Sequence, residues 1–233
     1  SDKPENQTIR EVGSLDGEVN LLPVQEWFFR NIKQGLFVNC NHWNQSFLLK
    51  TSPLDLDLLK LSLCKLLEYH DSLRLRYKLS SSKKFGYEQY YSAPLDINDI
   101  ELNYLDVSTL GEDVSGVGFT DKLSKILTTW QSKFELTSCS PLYSMGYITG
   151  YADGSTRLFF ALHHLIVDAV SWRIIAHDLK ELYNKFEQAK AERQLEKISQ
   201  QGVEQLLGAK GTSYRQWVNI IQEYAVTHKA ESD

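Results

Sequence analysis

The chain has 233 residues, of which 42% are hydrophobic, and a formal net charge of −5 at pH 7. This length suits one domain or two small ones, and the apolar share is large enough to bury a core. The acidic balance and the lack of a Lys/Arg cluster argue against nucleic-acid binding, and no apolar run has the length of a membrane-spanning helix.

The first segment, residues 1–18, is polar and is predicted to be a loosely held leader without a signal peptide. A short helix is predicted from residue 21, because Pro23 suits the first turn of a helix. Its apolar positions at helical spacing are Val24, Trp27, Phe28 and Ile32. We expect this face to pack against the core.

Residues 42–49 alternate in the manner of a strand, which places Asn44 and Ser46 on one face and Gln45 on the other. Asn is depleted in strands, so a run of Asn44, Gln45 and Ser46 needs hydrogen-bond partners. Two interpretations stay open. These side chains either form a wall of a functional cavity or make structural hydrogen bonds.

A second helix is predicted to begin at Ser52 as N-cap, with Pro53 at the first helical position and Asp55 near the positive end of the dipole. A stripe of leucines between residues 56 and 67 predicts its buried face. The helix is expected to end near residues 69–77. Arg74 in this segment is either the partner of Asp168, further along the chain, or a surface arginine leaving the helix.

The middle of the chain predicts two strands, at residues 87–91 and 101–106, and an amphipathic helix over 119–134. A further strand at 141–148 is followed by the turn signals of residues 150–155. This pattern predicts a hairpin that leads into the next apolar strand.

Two adjacent histidines, His163 and His164, follow an apolar run at 158–162 that is typical of a buried strand. Because side chains alternate along a strand, the two imidazoles should point to opposite sides, and they cannot converge on one metal ion. The sequence also has no HExxH or CxxC motif. We expect one of them to open onto a cavity as a general base and the other to pack into the structure behind it.

Asp168 follows this strand and precedes a helix that starts near Val170. A short carboxylate at such a junction usually caps the helix by accepting backbone N–H bonds. The alternative is an ion pair with a buried arginine, for which Arg74 is the candidate. Either role shapes the loop rather than contacts a substrate.

After Phe186 the sequence becomes polar and predicts a linker, with glycine breaks at 208 and 211. Ser213 and Gln216 form a capping box at the start of a final helix. The apolar positions of this helix share one face: Trp217, Ile220, Ile221, Tyr224 and Ala225.

The pattern His163-His164-x-x-x-Asp168 resembles the HHxxxD motif of the condensation-domain superfamily of nonribosomal peptide synthetases. Ser171 and Trp172 extend it to a form similar to the epimerization branch, although Ala169 stands where the superfamily usually has Gly. The segments 21–29 and 44–46 are also similar to that branch, and the segment 141–148 resembles the one that precedes the His motif in the family. Residues 69–74 resemble the second motif, RHExLR, except that Tyr69 replaces its first arginine.

This resemblance implies an α/β (α+β sandwich) fold, a chloramphenicol-acetyltransferase-like lobe with a mixed sheet flanked by helices. It implies an N-terminal lobe over residues 19–187, then a linker and helix over 188–233 leading to a C-terminal lobe that the chain lacks. In the superfamily the active site lies between two such lobes. We therefore expect half of an active site, inactive alone.

The function implied is L-to-D inversion at Cα of an aminoacyl or peptidyl thioester. His164 would be catalytic, with His163, Asp168, Ser171, Trp172 and Arg74 in support, and a second-lobe glutamate opposite. The substrate would be bound as a thioester to the 4′-phosphopantetheine of a peptidyl carrier protein. Other synthetase modules would be partners, and this chain would hold no cofactor or metal.

Two other functions stay open. One is peptide-bond formation by a condensation-domain lobe. The other is a non-enzymatic unit that only binds or folds. Three scattered cysteines, Cys40, Cys64 and Cys139, are typical of reduced thiols in a cytoplasmic protein without a membrane partner.

Overall fold

The computed structural model of the protein describes residues 10–37, 39–111, 116–168 and 170–228, which form seven strands and seven α-helices. The strands are β1 Gly17–Val19, β2 Asn44–Thr51, β3 Leu75–Leu79, β4 Tyr87–Tyr91, β5 Asn103–Asp106, β6 Tyr143–Thr149 and β7 Thr156–His163. The helices are α1 Pro23–Lys33, α2 Leu56–Tyr69, α3 Val117–Gln131, α4 Ser171–Ala191, α5 Leu195–Ser199, α6 Val203–Leu207 and α7 Tyr214–Thr227. Half of the predicted leader, residues 1–9, lies outside the described residues.

The larger sheet has four strands in the order β2-β7-β6-β5. Strands β5 and β6 run parallel, and the other neighbours are antiparallel. The sheet is thus mixed, and the predicted hairpin is confirmed as β6 and β7. Helices pack on both faces of the sheet, so the expected α/β architecture with flanking helices is confirmed.

Strand β7 is buried on both faces, and the five residues 158–162 at its centre are all apolar. Leu158, Phe160 and Leu162 join a core that includes residues of α2 and α4. Phe159 and Ala161 face the other way and pack with Trp130 of α3. The same alternation carries the final strand residue, His163, to the α3 side.

The second sheet is small, with the order β1-β4-β3, all antiparallel. Strand β3 differs from the sequence prediction, which has only a helix end in this segment. Helix α2 also begins later than predicted. The carboxylate of Asp55, not the hydroxyl of Ser52, caps the helix by accepting from the backbone N–H groups of Asp57 at 3.0 Å and Leu58 at 3.1 Å.

The buried face of α1 differs from the predicted one. Gln25, Phe28 and Phe29 are buried, whereas Val24 and Trp27 are about half exposed. The prediction follows apolar character alone, and it misses that a polar side chain can be buried where hydrogen-bond partners surround it.

Between α4 and α7, where the sequence predicts a linker, the chain forms α5 and α6, and Val203 and Leu206 of α6 are buried. The predicted capping box is confirmed, since Ser213 Oγ accepts from the Gln216 N–H at 3.0 Å and Gln216 Oε1 accepts from the Ser213 N–H.

Helix α7 carries an exposed apolar surface, which we call the α7 stripe: Trp217, Ile220 and Tyr224. Their exposed fractions are 50%, 44% and 60%. The sequence predicts that these residues share one face, and in this chain that face meets solvent. Among the described helices, none is both long and apolar enough to span a bilayer.

Candidate active site

His163 is completely buried and has both ring nitrogens engaged. Its Nε2 lies 2.9 Å from the carbonyl oxygen of Cys40, and its Nδ1 accepts the backbone N–H of Leu165 at 3.2 Å. Because a carbonyl only accepts, Nε2 must carry the proton and Nδ1 must be bare. Burial lowers the pKa of His163 to about 4. This imidazole is a fixed, neutral part of the scaffold.

His164 lies just beyond the end of β7, in the turn. Its backbone N–H donates to the carbonyl of Trp43 at 2.9 Å, and its ring packs on the Trp43 indole with centroids 4.8 Å apart. Within the described part of the chain, no group hydrogen-bonds its imidazole. Partial burial lowers the pKa of His164 below its ordinary value, so the ring is neutral at pH 7.

A cavity of about 570 Å³ opens in front of His164. Its wall combines apolar side chains with a few polar ones, an arrangement typical of ligand sites. The residues that line it include Val24, Trp43, Gln45, His164, Asp168 and Trp217. Trp217 belongs to the α7 stripe, so that exposed surface begins at the mouth of the cavity.

Asp168 caps α4, as the sequence predicts. Its Oδ1 accepts from the backbone N–H groups of Val170 at 3.1 Å and Ser171 at 2.8 Å, and from the Ser171 hydroxyl at 2.6 Å. The Ser171 hydroxyl and amide lower the pKa of the Asp168 carboxyl. The cap fixes where α4 starts, and with it the position of Trp172. Ala169 lies outside the described residues.

The three polar residues of β2 divide between the two faces of the sheet. Gln45 lies on the same side as His164 and accepts a hydrogen bond from Trp172 Nε1 at 2.7 Å. Asn44 instead donates to the carbonyl of Gln131 at the end of α3, and Ser46 lines a groove against α3. Of the two interpretations left open by the sequence, the cavity wall fits Gln45, structural hydrogen bonds fit Asn44, and Ser46 lies outside the cavity.

Arg74 does not pair with Asp168, and it is not a surface arginine, so both interpretations offered from the sequence are wrong. The side chain is 2% exposed, and its Nη2 donates to Asp71 Oδ1 at 2.7 Å and to the carbonyl of Leu15 at 2.9 Å. Its Nη1 donates to the carbonyl of Ser92. These partners lie in the turn before β3 and around the small sheet. Arg74 therefore holds that sheet and is not a residue of the cavity.

Gln25 supports the site; it lies in the segment 21–29 that resembles the epimerization branch, but the sequence analysis does not name it as a site residue. It is 1% exposed, and its Nε2 donates to the carbonyl of Leu165, next to His164, at 3.0 Å and to Gln89 Oε1 at 2.9 Å. It thus ties the histidine turn to the small sheet. One local feature of the sequence points to this role: Gln25 is the third residue of α1. Its side-chain oxygen accepts the N–H of the N-cap residue Leu22 at 2.8 Å.

The arrangement presents one neutral imidazole at the wall of a largely apolar cavity, backed by a second imidazole that cannot titrate near pH 7. A neutral imidazole in such a place is chemically able to accept a proton. Among the described residues, no cluster of three or more His, Cys, Asp or Glu side chains could hold a metal ion. The polar side chains that line the cavity include one imidazole, one carboxamide and one carboxylate, from His164, Gln45 and Asp168.

Comparison with known proteins places this geometry in context. The family model described as "Condensation domain" matches residues 16–225. The chain is 35% identical over 214 residues to N-(5-amino-5-carboxypentanoyl)-L-cysteinyl-D-valine synthase of Amycolatopsis lactamdurans, covering 92% of this chain and 5% of that protein. It is 33% identical over 239 residues to a component of the linear gramicidin synthase of Brevibacillus parabrevis, covering 96% of this chain and 3% of that protein.

Two solved structures share the fold. One is the epimerization domain from the third module of tyrocidine synthetase B, with a TM-score of 0.70 and 26% identity. The other is the starter condensation domain of rhizomide synthetase, with a TM-score of 0.66 and 15% identity, a likeness of fold alone. The alignments cover 94% and 92% of this chain, but only 43% and 46% of those chains.

Proposed function

Since the chain belongs to the condensation-domain family of nonribosomal peptide synthetases, we propose that it is the first lobe of an epimerization domain. Its reaction is the inversion of Cα, from L to D, in an aminoacyl or peptidyl thioester held by a carrier protein. The observation that carries this proposal is the free imidazole of His164 at the wall of a 570 Å³ cavity.

The comparisons support epimerization over other reactions of the family. The epimerization-domain structure is more similar in sequence than the condensation-domain structure, at 26% against 15% identity. The name of one relative also specifies a product with a D-valine residue. Ser171 and Trp172 take part in the geometry of the site, through the Asp168 cap and the bond to Gln45.

The proposed chemistry is removal and return of one proton. A thioester acidifies the hydrogen on its α-carbon, and a neutral His164 is in the form that can accept it. A group on a second lobe returns a proton to the opposite face. The apolar cavity limits water, which strengthens the electrostatic interactions made with the enolate.

The supporting residues act through position. His163 fixes the strand end by its bonds to Cys40 and Leu165, and Asp168 with Ser171 fixes the start of α4. The substrate arrives on the 4′-phosphopantetheine of a peptidyl carrier protein, with further synthetase modules before and after. The reaction would take place in the cytoplasm, in the synthesis of a peptide such as an antibiotic.

The test uses the two-lobed enzyme and a carrier-bound aminoacyl thioester deuterated at Cα. His164→Ala should abolish loss of the α-deuterium, because the neutral imidazole is the proton acceptor. His177→Ala, at an exposed position on α4, is the matched control and should exchange like the wild type. Retained exchange in His164→Ala would refute the role of His164.

The alternative function is peptide-bond condensation, in which His164 positions or deprotonates an acceptor amine. It is favoured by the matched family model, which is that of a condensation domain. Supplying the two-lobed enzyme with two carrier-bound substrates distinguishes condensation from epimerization. Amide formation with retained stereochemistry and no deuterium loss would establish condensation, whereas deuterium loss without an amide product would establish epimerization.

A further inference from the structure

The carboxamide of Gln45 has only one possible orientation. Its partner Trp172 Nε1, at 2.7 Å, is an indole N–H, which donates and never accepts. The oxygen of Gln45 must therefore face Trp172. The amide nitrogen, Nε2, with its two N–H donors, faces away from that bond.

The surroundings hold this orientation rigidly. The Trp172 ring meets Phe47 edge to face at 4.3 Å, and Phe47 stacks on Phe160 at 5.2 Å. The Asp168 cap fixes the turn of α4 from which Trp172 projects. Gln45 is thus pinned to strand β2 at its backbone and to Trp172 at its oxygen.

The nitrogen of Gln45 is available to a ligand. Gln45 lines the same cavity as His164, and its partner across the sheet is Leu162, two residues before His164. Across the ranges that the structure describes, no other atom hydrogen-bonds this carboxamide. A preoriented donor beside a catalytic base is the arrangement that stabilises negative charge developing on a substrate oxygen.

We propose that Gln45 is a catalytic residue that donates an N–H bond to the carbonyl oxygen of the bound thioester. This inference rests on the proposed function. When His164 takes the Cα proton, the electron pair of the C–H bond forms the C=C bond of an enolate, and the negative charge moves to the oxygen. Gln45 stabilises that oxygen. Return of a proton to Cα restores the carbonyl.

Gln45→Glu in the two-lobed enzyme tests the assignment. A carboxylate still accepts the Trp172 N–H but offers no donor to the substrate. The turnover of α-deuterium exchange should fall about 100-fold or more, the range seen when one such donor is removed. Exchange is measured on the plateau of the pH–rate profile, because a carboxylate beside His164 raises the pH at which that imidazole titrates.

Two further variants complete the design. Leu48→Gln changes an exposed residue of the same strand on the opposite face and should exchange at the wild-type rate. Folding of Gln45→Glu is judged by its Tm. If that variant does not fold, Gln45→Met, whose side chain has no N–H donor, tests the role of Gln45 instead. It too should lose about 100-fold in turnover.

The outcomes separate this inference from the proposed function. If the wild-type enzyme exchanges no deuterium, the epimerization proposal fails. If it exchanges and a folded Gln45→Glu or Gln45→Met variant keeps the wild-type rate, then the role of Gln45 is overturned and the epimerization proposal stands. Loss of turnover with an unchanged Tm supports Gln45 as the donor.

Discussion

The buried imidazole of His163 makes the folded protein sensitive to mild acid. Its pKa is lowered to about 4 by burial, against about 6.5 in an unfolded chain. A lowered folded pKa means that the unfolded chain binds a proton first as the pH falls. The free energy of unfolding therefore carries no penalty from His163 well above pH 6.5. It declines as the pH falls from 6.5 towards 4.

We predict that the free energy of unfolding drops by about 2 kcal/mol from His163 alone between pH 7 and pH 5. His163→Gln keeps an N–H donor for Cys40 and an oxygen for the Leu165 N–H, and it cannot titrate. Urea unfolding at both pH values should show a smaller drop in this variant. His177→Gln, at an exposed site, should keep the wild-type drop; an equal drop in His163→Gln would contradict the prediction.

The sequence is sufficient to separate the two histidines, because strand alternation is a local rule. It is not sufficient to find the partners of Arg74. Those partners include the carbonyls of Leu15 and Ser92, which lie far away in the chain and meet only in the folded small sheet. Backbone carbonyls carry no residue-specific signal, so a sequence motif cannot indicate them.

Among the elements, the contact between β6 and α3 depends on the absence of one side chain. A Cβ on Gly146 would lie 2.4 Å from Cζ3 and 2.8 Å from Cε3 of Trp130. Trp130 is 8% exposed and also packs on Phe159 with ring centroids 5.7 Å apart, so the ring has little room to move. The strand and the helix approach each other this closely because residue 146 is glycine.

We predict that Gly146→Ala destabilises the fold by about 1 to 3 kcal/mol, through overpacking against Trp130. Denaturant unfolding measures the change. Gly118→Ala in α3 is the matched control, because no atom lies within 4 Å of its added Cβ, and alanine favours a helix. Equal stability of Gly146→Ala and the wild type would count against this account of the contact.

Periodicity predicts most of the helices and strands of the lobe but not all of their ends. The predicted start of α2 is misplaced because Ser52-Pro53 and Asp55 are both acceptable caps, and only the fold selects between them. Strand β3 escapes prediction although Leu75, Tyr77 and Leu79 alternate with charged residues, because the sequence prediction assigns this segment to the end of the preceding helix. Alternation over five residues is a weak signal beside a strong helical stripe.

For the molecule as a whole, the α7 stripe is the surface on which we place the second lobe of the proposed two-lobed domain. Trp217 lies both in the stripe and at the cavity wall, and Val24, which lines the same cavity, is 57% exposed. A second lobe seated on this surface would close the cavity over His164. The division into a lobe over residues 19–187 and a leading segment over 188–233 stays a prediction, and Leu206 of α6 and Val218 of α7 are buried in the same core as β7.

We predict that residues 1–233 alone catalyse no α-deuterium exchange and associate through the α7 stripe, because exposed apolar surface of this kind favours burial. Ile220→Lys combined with Tyr224→Lys should restore a monomer in sedimentation velocity. Val117→Lys, at an apolar position 81% exposed on α3, should leave the association unchanged. Exchange by the isolated lobe at the rate of the two-lobed enzyme would refute the prediction.

The packing of Trp43 on His164, with ring centroids 4.8 Å apart, gives the candidate base an optical reporter of its own charge. An imidazolium quenches indole emission more strongly than a neutral imidazole, so the part of the emission that Trp43→Phe removes, among five tryptophans, should follow the protonation of His164. His163 is held neutral near pH 7 and adds nothing to that signal. The same contact that orients the base therefore makes its titration visible without any added label.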